Sequence, residues 1–359
     1  MNLLARNAKT TLEHYITLID PRLDDYWRKE LSLGFGFNEK QRTLVVKIID
    51  HAQEHNLRPA KRLRASFVHY GYLLNHREID ERIWNAAMAV ELVHTALLMH
   101  DDFMDQDATR RGKPTTHEYF AKGDTHYGHA MAVSVGDAVL CAGFQLLMES
   151  GFDAVPLKSA MSKMLRGIAN TAHGQAYDVS LEKLRNEWTE DDVMTVHKAK
   201  TSIYTYENPL YIGAYLGEAA PHVFPLLHAY AMDGGVAFQL QDDILGVYGD
   251  PERTGKSANS DLLQGKATLL VMKVFHEGTA AQIQAVESVW GKRRASAADI
   301  QDAKQAIIDS GSLEYSNTIS RTYAAQAAQY ARKLRALDLN TEAIDYIEGV
   351  AEYMVHREL

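Results

Sequence analysis

Residues 100–113 read HDDFMDQDATRRGK. Asp101, Asp102 and Asp105 fall within five positions, Asp107 lies two further on, and Arg110, Arg111 and Lys113 follow. Like charges this close repel, so the cluster is either a solvated face or the seat of something cationic. Asp101 and Asp105 are four apart, which on a helix puts both carboxylates on one face, one turn separated. His94, seven residues before Asp101, falls on roughly the same face. A second pair, Asp242 and Asp243, also ends an apolar run, VAFQLQ. One acidic pair on a helix is usually surface decoration. Two pairs at the mouths of apolar helices, each followed by basic residues, point to a pocket between them with oxygen donors only. Such donors suit Mg²⁺, which takes one or two carboxylates together with water and substrate phosphates. Zinc is disfavoured, because neither cluster has spaced His or Cys ligands.

The cations answer the acids. RPAKRLR, 58–64, concentrates Arg58, Lys61, Arg62 and Arg64 before an apolar run, with Lys61 and Arg64 three apart on one helix face. Arg110 and Arg111 follow the first acidic cluster, Lys256 and Lys266 follow the second, and Lys198 and Lys200 precede Thr201. Any one of these alone reads as a solvated side chain. Together, in a net-acidic chain, they read as a polyanion site in which arginine forks and lysine point charges take phosphate oxygens. No GxxxxGK[ST] is present, and Thr254-Gly255-Lys256-Ser257 lacks the first glycine. The phosphates are therefore not held as in a P-loop. A Mg²⁺-diphosphate site among apolar helices predicts a substrate with a phosphate head and an apolar tail.

The elements that position these residues read as helices. In IWNAAMAVELVHTALLMH, 83–100, Ile83, Ala87, Val90, Val93, Leu97 and Leu98 form a stripe broad enough for a central helix. Residues 128–148, 224–249 and 324–337 carry the same period, and Gly249-Asp250-Pro251 stops the third. The segment 254–270 reads as a polar loop returning to a helix. The expectation is all-α: one domain over residues 1–359, a single bundle of roughly ten or more helices around a central cavity. Of 359 residues, 46 % are hydrophobic, enough for a sizeable core, and the net charge of −9 argues against non-specific nucleic-acid binding. The single cysteine, Cys141, excludes an intrachain disulfide and fits a reducing, cytoplasmic setting. No signal-peptide pattern and no run of about eighteen uncharged apolar residues is found, so no membrane span is expected. His100 reads as a neighbour of the acidic site, and His117, His126 and His129 as surface or loop residues.

The motifs taken together resemble the trans-isoprenyl diphosphate synthases, the polyprenyl synthetase family. DDxxD followed by RRG appears as Asp101–Asp105 and Arg110-Arg111-Gly112. The second aspartate motif appears as Asp242-Asp243-Ile244-Leu245, after Phe238-Gln239 and before Gly255-Lys256 and Gly265-Lys266. GKRxR is similar to 59–64, ExxH to Glu91–His94, GQxxD to Gly174–Asp178, and KT to Lys200-Thr201. The resemblance implies a trans-prenyltransferase that condenses isopentenyl diphosphate head-to-tail with dimethylallyl, geranyl or farnesyl diphosphate. Asp101, Asp105 and Asp242 would hold Mg²⁺, roughly three ions with substrate bound. Arg110, Lys200 and Lys256 would bind the allylic diphosphate, with Lys266 also in contact with substrate. Lys61, Arg64, His94 and Arg111 would grip isopentenyl diphosphate, and Thr201 and Gln239 would line the reacting region. It also implies a homodimer.

Two departures stand out. Gly246 replaces the last aspartate of the second motif, and Pro59-Ala60 replaces two glycines, which predicts a differently shaped loop at the isopentenyl end. The tail would run down the helix carrying Asp101, with Ala96, Leu97 and Val93 as the floor and Met131, Val135 and Phe144 as candidates from facing helices. Small Ala96 favours a geranylgeranyl product, with farnesyl and longer products open. A class I terpene cyclase would need a different second motif. A non-catalytic subunit of a heteromeric synthase would have lost aspartates that are present here.

Overall fold

The structure, a computed structural model, describes residues 1–32, 36–184, 188–249, 259–292 and 294–356. It is a helical bundle. In chain order the first elements are α1 (Leu3–Ser32), α2 (Glu39–Asn56), α3 (Leu63–Leu73) and α4 (Ile83–Met104). A two-stranded hairpin follows, β1 (Thr109–Arg110) and β2 (Lys113–Pro114), then α5 (Thr116–Ala121), α6 (Thr125–Met148) and α7 (Ala154–Leu184). Next come α8 (Glu190–Val196), a π-helix (His197–Glu207), α9 (Asn208–Leu216) and α10 (Phe224–Tyr248). The C-terminal part holds α11 (Ser260–Gln264), α12 (Leu269–Glu277), α13 (Ala280–Glu287), α14 (Ala297–Asp309), α15 (Ser312–Lys333) and α16 (Thr341–Val355).

The helix read from 83–100 is α4, and it is central, as its broad stripe requires: its side chains are buried on nearly all sides. It packs on α6, and α10 packs on α15 and on the π-helix. Both approaches are close. A Cβ at Gly143 would strike Val93 and the Ala89 carbonyl, and one at Gly235 would strike Ser202. Glycine at 235 therefore brings the Lys200 segment against the helix of the second aspartate pair. Gly249 caps α10 in extended backbone, where the sequence places a stop.

By length and composition α6 could cross a bilayer, but Asp137 interrupts it, so it holds no run of about eighteen uncharged apolar residues. Met131, Val135, Val139 and Leu147 on one face are buried against the bundle, while Tyr127, Val133 and Met148 are exposed. His117, expected at the surface or in a loop, is instead buried on α5, with Nδ1 3.3 Å from Thr115 Oγ1.

Candidate active site

A cavity of about 930 Å³ opens between α3, α4, the hairpin, the π-helix and α10. Lys61, Arg64, His94, Asp101, Arg110 and Arg111 line one side; Lys200, Thr201, Gln239, Asp242 and Lys266 line another. Residues more than a hundred apart in sequence thus meet in one space. Asp105 sits just behind this wall, and Lys256 lies outside the described residues.

α4 ends at Met104, and the Asp105 amide still donates to the Asp101 carbonyl at 2.8 Å, so the last turn stacks the two carboxylates. Carboxylates at a helix C-terminus oppose its dipole, and cations compensate. Asp101 Oδ1 lies 3.3 Å from Lys200 Nζ, and Asp101 Oδ2 lies 3.7 Å from Arg110 Nη2. Asp105 Oδ2 lies 3.2 Å from Lys266 Nζ and its Oδ1 accepts from Gln175 Nε2 at 3.3 Å. Burial pushes the Asp101 carboxyl up, but Lys200, Lys266 and Arg110 outweigh it and hold it at about 2. Asp105 has less help: burial, with Asp101 beside it, raises its carboxyl despite Lys266. Asp107 is raised to about 6 by burial against the pull of Lys266 and Arg110, and Gln264 Nε2 donates to its Oδ1.

Asp102 has a different role. It is fully buried, turned away from the cavity, and gripped at Oδ1 by Arg110 through Nε (2.5 Å) and Nη2. Arg110 is thus anchored behind and presented in front. Lys200 bridges Asp101 and Asp178, the latter at 3.0 Å, and both carboxylates hold its ammonium above its ordinary value despite burial.

At the other end, Arg64 Nη1 lies 3.0 Å from His94 Nε2 and Arg64 Nη2 donates to Thr205 Oγ1 at 2.7 Å. Burial, then Arg64 and Arg111, push the His94 imidazole well below its usual range. His94 is therefore neutral, and its Nε2 accepts from Arg64. Its proton belongs on Nδ1, a buried atom without a partner in a residue that lines the cavity. That is a donor waiting for an acceptor such as a phosphate oxygen. Arg111 is lowered by burial and Arg110 to about 10 and remains a cation at neutral pH. Arg62, by contrast, points inward, to Asp20 at 2.7 Å and Glu91 at 3.1 Å, and fixes the Lys61–Arg64 turn.

Between the two ends, Thr201 Oγ1 donates to Gln239 Oε1 at 2.7 Å, and Gln239 Nε2 donates to Asp243 Oδ1 at 2.8 Å. His197 Nε2 closes on Asp243 Oδ2 at 3.2 Å. Asp242 lines the cavity, and Asp243 is buried and serves Gln239. Leu97 and Leu98 line the cavity, whereas Ala96 and Val93 are buried in the core and do not. Met131, Val135 and Phe144 do not line it either. His100 lines it and approaches Asp137 of α6 at 3.4 Å. His126 is exposed and His129 half-buried.

Sequence reasoning missed Asp261. Where a Cβ at Gly246 would stand, the Asp261 carboxylate sits instead, and both residues line the cavity. It also missed Gln264, Tyr204 and Thr205, whose partners are too far along the chain for any local pattern to reveal. The donor set fits Mg²⁺: Asp101, Asp105 and Asp242 offer carboxylate oxygens, and the buried Gln175 Oε1 beside Asp105 has no partner. Among the described residues no three His, Cys, Asp or Glu side chains cluster as a self-sufficient metal site. That suits a cation completed by substrate phosphates rather than by protein alone.

Residues 46–307 match the polyprenyl synthetase family model. Over 280 residues the chain is 32 % identical to the geranylgeranyl diphosphate synthase of Saccharolobus solfataricus, covering 77 % of this chain and 80 % of the relative. It is also 32 % identical over 290 residues to the geranylfarnesyl diphosphate synthase of Aeropyrum pernix, covering 79 % and 86 %. The geranylgeranyl pyrophosphate synthase of Corynebacterium glutamicum, solved with isoprenyl diphosphate and magnesium, superposes over 100 % of both chains with a TM-score of 0.84 and 25 % identity. The aspartate-rich cavity and these likenesses agree: the chain belongs to the polyprenyl synthetase family and is a trans-prenyltransferase.

Proposed function

We propose that the protein condenses isopentenyl diphosphate head-to-tail with an allylic diphosphate to give all-trans geranylgeranyl diphosphate. One observation carries this reading: a single cavity has two cationic ends, one mixed with the carboxylates of Asp101, Asp242 and Asp261 and one whose lining carboxylate, Glu91, is paired with Arg62, and the hydroxyl–amide pair Thr201–Gln239 lies between. The allylic diphosphate lies at the Asp101–Asp105–Asp242 end, with Arg110, Lys200 and Lys266, and with Lys256 as the family resemblance implies. Asp101, Asp105 and Asp242 would hold Mg²⁺ there, roughly three ions, which would supply the positive charge that makes the diphosphate a leaving group. Arg110 and Lys200, pre-aimed by Asp102 and Asp178, meet the negative charge that develops on the departing group. Thr201 donates its hydroxyl hydrogen bond to Gln239, so its oxygen lone pairs remain for the positive carbon left behind. Lys61, Arg64, Arg111 and the Nδ1–H of His94 hold isopentenyl diphosphate so that its double bond attacks that carbon. The proton then lost goes to the released diphosphate, so no protein base is required. Leu97 and Leu98 give the cavity an apolar stretch of wall that would limit water around the cation.

The product length rests on the relatives' names and on Leu97 as the residue of the proposed floor that reaches the cavity, with Ala96 and Val93 shaping α4 behind it. A homodimer is supported by the exposed, largely apolar stripe of α6. One domain over 1–359 is supported by the packing of α16 on α1 and α15. We place the protein in the cytoplasm, in keeping with its one cysteine.

The test is a product assay with labelled isopentenyl diphosphate, Mg²⁺ and, in turn, dimethylallyl, geranyl and farnesyl diphosphate. Geranylgeraniol after dephosphorylation is the expected alcohol. A farnesol stop would overturn the product length, and no elongation from any primer would overturn the reaction.

A further inference from the structure

The hairpin that carries Arg110 and Arg111 is too short to hold itself. Its strands have two residues each, paired Thr109 with Pro114 and Arg110 with Lys113. Both loop residues have positive φ, Arg111 at +52° and Gly112 at +73°. A two-residue hairpin turn of that kind favours Asn-Gly, and a bulky side chain at its first position is strained. Something outside must hold the turn, and Arg58 does so. Its side chain is buried, with Nη1 donating to the Arg110 carbonyl at 3.1 Å and Nη2 to the Pro114 carbonyl at 2.9 Å, one on each side of the turn. Arg111 Nη1 answers by donating to the Arg58 carbonyl at 3.2 Å. Glu54, on α2, fixes the fork from behind through Nε at 3.2 Å and Nη2 at 2.7 Å, and also reaches Lys113 on β2 at 2.6 Å. Arg58 stands directly before Pro59-Ala60, the stretch that departs from the family's two glycines.

We propose that Arg58, braced by Glu54, is a positioning residue that sets Arg111 for isopentenyl diphosphate. The assignment rests on the reading of that diphosphate as the second substrate. The effect is one-sided. Arg110 has its own anchor in Asp102, so the allylic end keeps its cation when the clamp is lost. Arg111 has the strained backbone and the Arg58 carbonyl, so the isopentenyl end loses its geometry. Lysine at 58 would keep the charge but cannot reach both carbonyls as a planar fork does.

The experiment uses the full chain as wild type, Arg58→Lys, Arg58→Ala and Glu54→Gln, with circular dichroism to confirm folding. Isopentenyl diphosphate is titrated by calorimetry without Mg²⁺, the KM of each substrate is measured, and amide exchange is followed over residues 108–115. The expected result is about tenfold or greater weakening of isopentenyl diphosphate binding in both Arg58 variants, an allylic KM within about threefold of wild type, and faster exchange across the hairpin. Glu54→Gln, which leaves the fork in place, is expected to show the same pattern at smaller size and serves if Arg58→Ala fails to fold. Unchanged exchange, or equal effects on both substrates, would overturn the proposal while the synthase reading stands. Failure of the wild type itself to bind isopentenyl diphosphate would overturn the substrate reading, and that is seen before any variant is compared.

Discussion

Asp101 and Asp102 are neighbours in one motif, yet the structure predicts opposite consequences when each is changed to asparagine. Asp102 has no exposed surface, and its partner Arg110 has a side chain only 14 % exposed. Removing one member of a buried ion pair costs about 3–5 kcal/mol. Asparagine keeps a neutral hydrogen bond to the guanidinium, worth about 1 kcal/mol, so Asp102→Asn should lose about 2–4 kcal/mol. At about 2–4 °C per kcal/mol for a large domain, the melting temperature falls by roughly 4–16 °C. Asp101 is 23 % exposed and stands among Lys200, Arg110 and Lys266. Taking one negative charge from three positive ones should cost about 1–2 kcal/mol of stability at neutral pH, since a partly exposed carboxyl held at about 2 stabilises the fold. The larger loss appears in turnover, by about 10²-fold or more, because the proposed Mg²⁺ site loses a ligand. Thermal unfolding without Mg²⁺, alongside steady-state kinetics with it, separates the two. An Asp102→Asn protein that melts with wild type, or an Asp101→Asn protein that turns over normally, would refute the division of labour.

Three further outcomes are expected. Burial pushes the Glu54 carboxyl up, but Arg58 and Lys113 outweigh it and hold it at about 2. A carboxylate held below its ordinary value stabilises the fold above pH ~4.5 and loses that effect as pH falls through ~2, so the gap in melting temperature between wild type and Glu54→Gln should be full at pH 6 and close between those limits. Gly246→Asp, which restores the family's aspartate, should destabilise by about 1–3 kcal/mol by overpacking against Asp261; adding Asp261→Gly should recover the melting temperature, and a stable single variant would contradict the assigned contact. Val133→Arg, on the exposed stripe of α6, should convert the proposed homodimer to monomer in sedimentation; an unchanged dimer would move the interface elsewhere, and a monomeric wild type would overturn the proposed dimer.

How far a sequence reveals such a site depends on whether the information is local. The stripe at 83–100 predicts α4 because burial on one face repeats every turn, and the acids at its end follow from spacing alone. The direction in which each acid points does not. Asp102 turns inward because Arg110 waits there, and that contact is set by a hairpin eight residues on. The Asp261 carboxylate, fifteen positions on, fills the space beside Gly246, a relation no periodicity encodes. Ala96 was placed correctly on α4, but whether it meets cavity or core depends on which neighbour covers it, and core residues do. Lys200 and Thr201 were legible as a motif. The π-helix that carries them was not, because a wider winding leaves the same residue types in the same order.

That winding makes the segment sensitive to length rather than to composition. From His197 to Glu207 the chain carries more residues per turn than the α-helices on either side. Deleting one residue would let the stretch relax into ordinary α-helix and swing everything beyond the deletion by about 100° around the axis. Tyr204 and Thr205 would leave the wall they share with Arg64, and Asn208-Pro209 would enter α9 from a new angle. Removing one residue between His197 and Glu207 should therefore disturb the site more than a single substitution there that spares Lys200, Thr201, Tyr204 and Thr205.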